Sequence, residues 1–410
     1  MDRSVDELGE RLRRQPGVTS VRRPAADGIE FDLTYVRTGP RADTPVLFIP
    51  GGPGLGAVYP YLRFRPLAAK YGLDTIMVEH RGVGLSRTDT AGADLPRAAL
   101  NIDAVVADLA AVLDAEGIAR AVVYGTSYGG YLAQSFAAAH PERVAGMVLD
   151  STWSEAGEFE LARSYVRELL WHGTDPVTAP LAERLRTLVD TGVVPVEETG
   201  DVVPVAYDLG GADLLRRLLD AAERGRLGTW NWLAGLGNAE LHETKRYLME
   251  FDLVGVINFR DLYPLRPDGL PMDQAAAFGK IAGRFPPFAG EPRHLPDELP
   301  HFDWPTAVLS GRRDMRMVRP VLRRMAERIP GAVLLPFDDV AHSVFDTRPR
   351  AAIHIAGAMA AGNQRLLPGL LPRIEALARP TMRALLPKAL EARLRLERLT
   401  GKVPRAGTRG

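Results

Sequence analysis

Short apolar runs alternate, along the first third of the chain, with stretches whose apolar residues recur every three or four positions. Ile29, Phe31, Leu33 and Tyr35 alternate with polar neighbours, the two-residue period of a strand with one buried face. Asp27-Gly28 is the expected turn between it and a weaker strand from Val18 to Arg22. Pro45 to Ile49, Thr75 to Glu79, Ala121 to Tyr124 and Val144 to Leu149 are short, apolar and rich in β-branched residues, as strands covered on both faces are. Ile102, Val105, Val106, Leu109, Val112 and Leu113 mark one face of a helix that ends toward Gly117, and Tyr131 to Ala139 is rich in helix formers. Residues 4–14 predict a short exposed amphipathic helix. Strands alternating with helices imply βαβ units and a parallel sheet.

The rhythm breaks after Asp150. From 151 to 300 the pattern is helical, clearest at Leu181 to Val189 and Ala212 to Ala222, and Pro264 to Pro300 is proline-rich and expected to be irregular. Strand patterns return at Thr306 to Ser310 and Ala332 to Pro336, with a helix from Pro320 to Arg328 between them. The expected fold class is therefore α/β: a mostly parallel sheet flanked by helices, with a largely helical cap inserted after the sixth strand. The division predicted is a sheet domain over 17–150 and 301–360, a substrate-selecting cap over 151–300, and an extension over 361–410. Leucines recur in that extension, and prolines at 368, 372, 380 and 387 cut it into short helices.

The stretch that carries chemistry is Gly125-Thr126-Ser127-Tyr128-Gly129-Gly130. It stands between a strand pattern and a helix pattern, the context required of a G-x-S-x-G nucleophile elbow. Glycines two residues either side of Ser127 allow a crowded turn, and the following helix aims its free N–H groups at the serine. A serine hydroxyl needs a base, and the base needs a partner that fixes its tautomer. His342 follows the strand pattern at 332–336 and is the candidate base. Asp314 follows the strand pattern at 306–310 and is the candidate acid. Asp150, at the end of the sixth strand, is a rival carboxylate that could also reach the histidine. The order Ser127, Asp314, His342, each after a strand, matches one known triad arrangement. An oxyanion hole needs backbone N–H groups near the developing alkoxide. Tyr128, next after the nucleophile, supplies one. Gly51-Gly52-Pro53-Gly54, directly after a buried strand, supplies the other, with Gly52 the chosen donor and Gly51 beside the substrate.

Those motifs, together with Arg81-Gly82-Val83-Gly84-Leu85-Ser86, resemble the proline iminopeptidase branch of the α/β-hydrolases. The resemblance covers about 30–150 and 303–345. It implies an acyl-enzyme mechanism without metal or organic cofactor, and an aminopeptidase that releases N-terminal residues from short peptides or amides. Pro50 stands where the family usually has His, and Glu79-His80 where it often has Asp-Gln; Arg81 and Ser86 are expected to brace the turn. In the family, acidic residues of the cap hold the substrate's amine. Glu243, Glu250, Asp252 and Asp261 are candidates here, with Glu243 and Asp261 preferred. The same machinery suits an ester, lactone or amide of a small metabolite, because the cap selects the substrate. A ligand-binding protein on a hydrolase scaffold is the non-enzymatic alternative.

Composition removes other classes. Lys+Arg and Asp+Glu both number 51, which gives no global field toward nucleic acid. Cysteine is absent, which excludes thiolate metal sites, iron–sulfur clusters, disulfides and a cysteine nucleophile. The charged N-terminus lacks the apolar core of a secretory signal, so a cytoplasmic protein is expected. Locally, 361–410 holds eleven Lys/Arg against three Glu, an excess of eight positive charges. That tail is expected to pack its leucines on the core, to touch a membrane surface, or to contact a protein, including a second copy.

Overall fold

The apolar runs become eight strands of one sheet in the computed structural model, which describes residues 3–26, 28–378 and 386–400. Asp27 of the expected Asp27-Gly28 turn lies outside the described residues, as do Pro380, Leu385 and residues 401–410 of the tail. The strands are β1 Val18–Pro24, β2 Glu30–Thr38, β3 Val46–Ile49, β4 Thr75–Val78, β5 Ala121–Thr126, β6 Val144–Asp150, β7 Thr306–Gly311 and β8 Val333–Phe337. Their order is β1-β2-β4-β3-β5-β6-β7-β8. β2 runs antiparallel to both β1 and β4, and every other pair is parallel. All residues of β3, β4, β5 and β7 are buried, which accounts for their unbroken apolar runs.

Alternate side chains of these strands enter two cores. Leu47, Ile49, Val123 and Leu149 face α3 (Ile102–Ala115) and α4 (Tyr128–Ala139). Val46, Phe48, Val122 and Val148 face the opposite side with α2 (Phe64–Lys70). The N-terminal helix, α1 (Arg3–Arg13), is the amphipathic helix expected, exposed along most of its length, with Leu12 of its apolar face buried in a cluster with Val58, Leu85 and Tyr247.

After β6 the chain is helical, as expected of an inserted cap: α5 Gly157–Arg167, α6 Ala179–Asp190, α7 Thr199–Ala222, α8 Gly228–His242, α9 Phe251–Ile257, α10 Ala275–Ala282 and α11 Leu295–Glu298. The proline-rich segment thus carries two short helices as well as irregular chain. Gly211 (φ 64°, ψ −159°) breaks α7 into two helical arms, and a Cβ there would sit 3.4 Å from Arg313 Cδ. The kink therefore lies against the loop after β7. The remaining helices are α12 Arg319–Arg328, α13 Val344–Thr347, α14 Pro349–Ala360, α15 Leu367–Glu375 and α16 Leu386–Thr400. Among the described residues no helix is long and apolar enough to cross a membrane.

The last helix returns to the insertion. Leu390 and Leu394 of α16 join the same apolar cluster as Leu214, Leu218 and Trp230 of α7 and α8. Arg393 lies over the Trp232 ring, 5.1 Å from its centroid. Glu397, only 2% exposed, accepts hydrogen bonds from the Gly228 and Thr229 amides at 2.6 and 3.1 Å and from the Thr229 hydroxyl. It satisfies the free N–H groups that open α8 from another part of the chain. Glu397→Ala leaves those donors buried and unpaired. It should cost about 1–3 kcal/mol, read as a lowered midpoint in urea unfolding, with Glu397→Gln recovering part of the loss.

Candidate active site

Packing forces the turn after β5. A Cβ on Gly125 would lie 2.2 Å from the Gly129 carbonyl oxygen, and one on Gly129 would lie 2.1 Å from the Ile49 oxygen. Only glycine fits at either place. Between them Ser127 adopts φ 53°, ψ −123°, a left-handed conformation that a serine holds only when its surroundings impose it. Its amide donates to the Asp150 carbonyl at 2.8 Å, and its own carbonyl accepts from the Thr152 hydroxyl at 2.7 Å. The residue after it, Tyr128, opens α4, so its N–H has no partner within the helix.

Asp314 and His342 meet beyond the ends of β7 and β8. His342 Nδ1 lies 3.0 Å from Asp314 Oδ2 and 3.1 Å from Oδ1. The Arg316 and Met317 amides each donate to Asp314 Oδ1 at 2.9 Å. Burial acts to raise the Asp314 carboxyl, but His342 and those amides outweigh it and hold it below the usual carboxylate range. Burial likewise acts to lower the His342 imidazole, and the Asp314 carboxylate outweighs it, so the imidazole is raised. Ser127 Oγ itself has no hydrogen bond among the described residues. Such bonds are often long in free enzymes and tighten around substrate.

The rival carboxylate has a different place. Asp150 Oδ1 accepts the Val344 amide at 3.0 Å, and Oδ2 accepts the Phe345 amide at 2.8 Å and the Tyr124 hydroxyl at 3.1 Å. Asp150 therefore fixes the chain that follows His342, while Asp314 holds the imidazole. Two further serines complete the seam. Ser343, at φ 71°, donates its amide to Ser151 Oγ at 3.0 Å, and its hydroxyl lies 3.0 Å from Thr126 Oγ1. Thus the neighbours of Ser127 and His342 are bonded directly to one another. Ser151 and Ser343 were not marked in the sequence, since their role depends on which turns meet.

The glycine loop after β3 lies against the elbow. A Cβ on Gly51 would sit 3.3 Å from Ser127 Cβ and 3.9 Å from its Oγ. Gly52 and Gly54 take φ of 139° and 108°, where a side chain is strained. The loop is pinned by Glu79, which accepts the Ala57 and Val58 amides, and by the Glu250 amide, which donates to the Gly54 carbonyl at 2.8 Å. His80 supports the other side, with Nε2 2.9 Å from the Tyr128 hydroxyl and Nδ1 2.5 Å from the Arg81 carbonyl. Burial pushes its pKa down to about 4, so the ring is neutral. Nδ1–H then donates to the carbonyl and Nε2 accepts from Tyr128. Arg81 grips Asp108 through two bonds of 2.6 and 2.7 Å, and Ser86 Oγ accepts the Thr34 amide at 2.8 Å. Both brace the turn, as their sequence context suggested.

Known proteins are similar to this chain over the segment that carries these motifs. Residues 44–180 match the family model of the alpha/beta hydrolase fold. RutD of Azorhizobium caulinodans, a relative named as a carbamate hydrolase, is 31% identical over 200 residues, which span 48% of this chain and 70% of that protein. This chain belongs to the α/β-hydrolase fold family. The proline iminopeptidase of Neisseria meningitidis is 34% identical over 166 residues, 38% of this hydrolase-fold chain and 48% of the relative, so the match spans about half of that enzyme. Among solved structures, a proline iminopeptidase of Mycobacterium smegmatis aligns with a TM-score of 0.49 and 17% identity, over 85% of this chain and 99% of that one.

In this hydrolase fold the insertion's carboxylates divide sharply. Glu243 is exposed and pairs loosely with Lys245 at 3.9 Å. Glu250 is fully buried and accepts from the Gly84 and Tyr247 amides, Arg87 and Arg246. Asp252 is held by Arg87. These three are spent on structure or face solvent. Asp261 is buried beside Tyr128 and Tyr131, whose phenols are raised chiefly by burial and in part by its charge, but Arg260 holds both its oxygens, at 2.6 and 2.8 Å. The carboxylate that sequence reasoning missed is Asp208, on α7 one turn before the kink. Its Oδ1 is shut off from solvent with no hydrogen-bond partner among the described residues. Burial first, then the Asp314 charge, pushes its pKa up to about 6, against the pull of Arg316, His342 and the Met315 amide, which hydrogen-bonds the carboxylate. No motif surrounds Asp208; only the path of α7 brings it to the His342–Asp314 pair.

The two opposed effects on His342 give a measurable sign. Because Asp314 raises the imidazole, its NMR titration midpoint should lie above 6.5 in the native chain. In Asp314→Asn burial and the Arg316 charge are opposed only by the weaker pull of Asp208, and the midpoint should fall below 6.5. Equal midpoints in the two proteins would show that the pair is not charged as described.

Proposed function

We propose that this chain is a serine hydrolase that works through an acyl-enzyme, and that its reaction is that of an aminopeptidase of the proline iminopeptidase kind. The observation that supports the chemistry is a serine on an imposed turn whose neighbour Thr126 is bonded to Ser343, next to a hydrogen-bonded Asp–His pair. Ser127 attacks the carbonyl carbon. His342 Nε2 takes the hydroxyl proton and returns it to the leaving amine; water then repeats the cycle on the acyl-enzyme. Asp314 keeps Nδ1 protonated and supports the imidazolium as it forms. The N–H groups of Gly52 and Tyr128 receive the oxyanion, and one such donor is worth about 10²–10³ in rate.

Two features support an amine-bearing substrate. The loop and elbow motifs resemble those of proline iminopeptidases, to one of which the chain is 34% identical over 166 residues. Asp208 offers an unpartnered carboxylate oxygen that an ammonium group would satisfy. A second reading, hydrolysis of a small carbamate or ester, draws on the occupied state of Asp261 and the exposure of Glu243. It also draws on the carbamate hydrolase name of the relative that matches over the longer span.

A fluorophosphonate probe should label the native protein and leave Ser127→Ala unlabelled; a folded native protein that resists labelling would sink both hydrolytic readings. Aminoacyl-arylamides compared with their N-acetylated forms separate the two. Free-amine substrates should be preferred, and Asp208→Asn should reduce that preference roughly tenfold. Indifference to acetylation favours the carbamate or ester reading.

A further inference from the structure

A cleft of about 220 Å³ lies between α5 and the chain from 263 to 275, with Arg316 also on its lining. Phe159 and Tyr263 form one wall, with ring centroids 4.8 Å apart. Three guanidinium groups line it: Arg163, Arg266 and Arg316. Arg163 is already neutralised by Glu160 and Asp273. Glu160, which also lines the cleft, is thereby occupied. The side chains of Arg266 and Arg316 have no hydrogen bond or ion pair among the described residues. Asp208 attracts Arg316 only through space. The cleft therefore carries two unspent positive charges beside an aromatic wall.

Its place ties it to the reaction centre. Ala156 and Gly157 of its rim follow β6, beyond the C-terminal edge where Ser127 and His342 stand. Arg316 comes two residues after Asp314, and its charge acts on His342. Gln274, on the rim, donates to the Met315 carbonyl at 3.0 Å and so fixes the loop that presents Arg316.

We infer that Arg266 and Arg316 form an anion subsite that binds a carboxylate carried by the substrate away from the bond that is cut. For a peptide this is the free C-terminus of a di- or tripeptide; for an ester it is a second acid group. Planar guanidinium groups suit a carboxylate through paired N–H bonds. The inference rests on Ser127 as nucleophile and adds the charge of the substrate to that reading.

Two matched pairs of aryl esters test it: p-nitrophenyl hemiglutarate against p-nitrophenyl valerate, with the carboxylate on the acyl side, and 4-carboxyphenyl butyrate against phenyl butyrate, with it on the leaving group. In at least one pair kcat/KM should favour the anion. The anion-to-neutral ratio should fall roughly tenfold in the double variant Arg266→Gln/Arg316→Gln, and it should fall in raised salt. Ratios in both pairs that the double variant leaves within twofold overturn the subsite. If no ester is turned over, the serine-hydrolase reading is what fails. Calorimetric titration of glutarate into Ser127→Ala then decides the subsite alone: binding weakened about tenfold by the double substitution supports it, and absent or unaltered binding overturns it.

Discussion

Asp150 is the residue on which the geometry of the candidate site depends. Its carbonyl holds the Ser127 amide, and its carboxylate holds the two amides that follow the His342 turn. One residue at the end of β6 thus sets the spacing between the serine and the histidine loops, which come from β5 and β8. A carboxylate so deeply buried is costly unless its lone pairs are met. Here three donors meet them, and burial still pushes its pKa up to about 6. The left-handed turns at Ser127, Ser151 and Ser343 are held around the same point. Strain of this kind persists only where neighbouring bonds over-determine the backbone, and each of the three turns is bonded to another.

The glycine loop after β3 is governed by a second set of buried charges. Glu79 and Glu250, both fully buried, bond to the adjacent amides of Leu85 and Gly84, and between them also hold the loop at Gly54, Ala57 and Val58. Burial first, and Glu250 in part, push Glu79 up to about 7, even though three amides oppose the shift. Arg87 gathers Asp94, Glu250 and Asp252. The insertion is thereby joined to the loop through ions rather than through apolar contact alone. Removing one member would strand its partners in a dry site.

The core strands were legible because burial on both faces leaves unbroken apolar runs, and the elbow because its glycines answer contacts under 2.5 Å. Asp314 and His342 stood out by following strand patterns, and the side chains lie 3.0 Å apart. In the sequence Asp314 is the preferred acid and Asp150 stays a rival, since both follow strands; the direction of their bonds tells them apart. The insertion was legible as helix and opaque as a site. Periodicity found the second arm of α7, yet Asp208 belongs to the first arm, and nothing local announces that the kink at Gly211 turns it toward His342. Glu243 looked suited to an amine by its place in the chain and proves to be exposed. Arg266 and Arg316 come together from segments fifty residues apart, which no local pattern records.

The seating of α16 on α7 and α8 has a consequence for the order in which the molecule is made. Glu397 caps a helix whose first residue is synthesised 169 positions earlier. At about 5–20 residues per second, a ribosome extends the chain across that interval in roughly ten to thirty seconds. Through that time the faces of α7 and α8 that receive Leu390 and Leu394 are present without their cover. The sheet is not complete early either: β6 pairs with β7, and the Ser127 turn is tied to Ser343 through Thr126, so it closes only once the chain has passed Phe345. The helical insertion waits longer still, until α16 has left the ribosome.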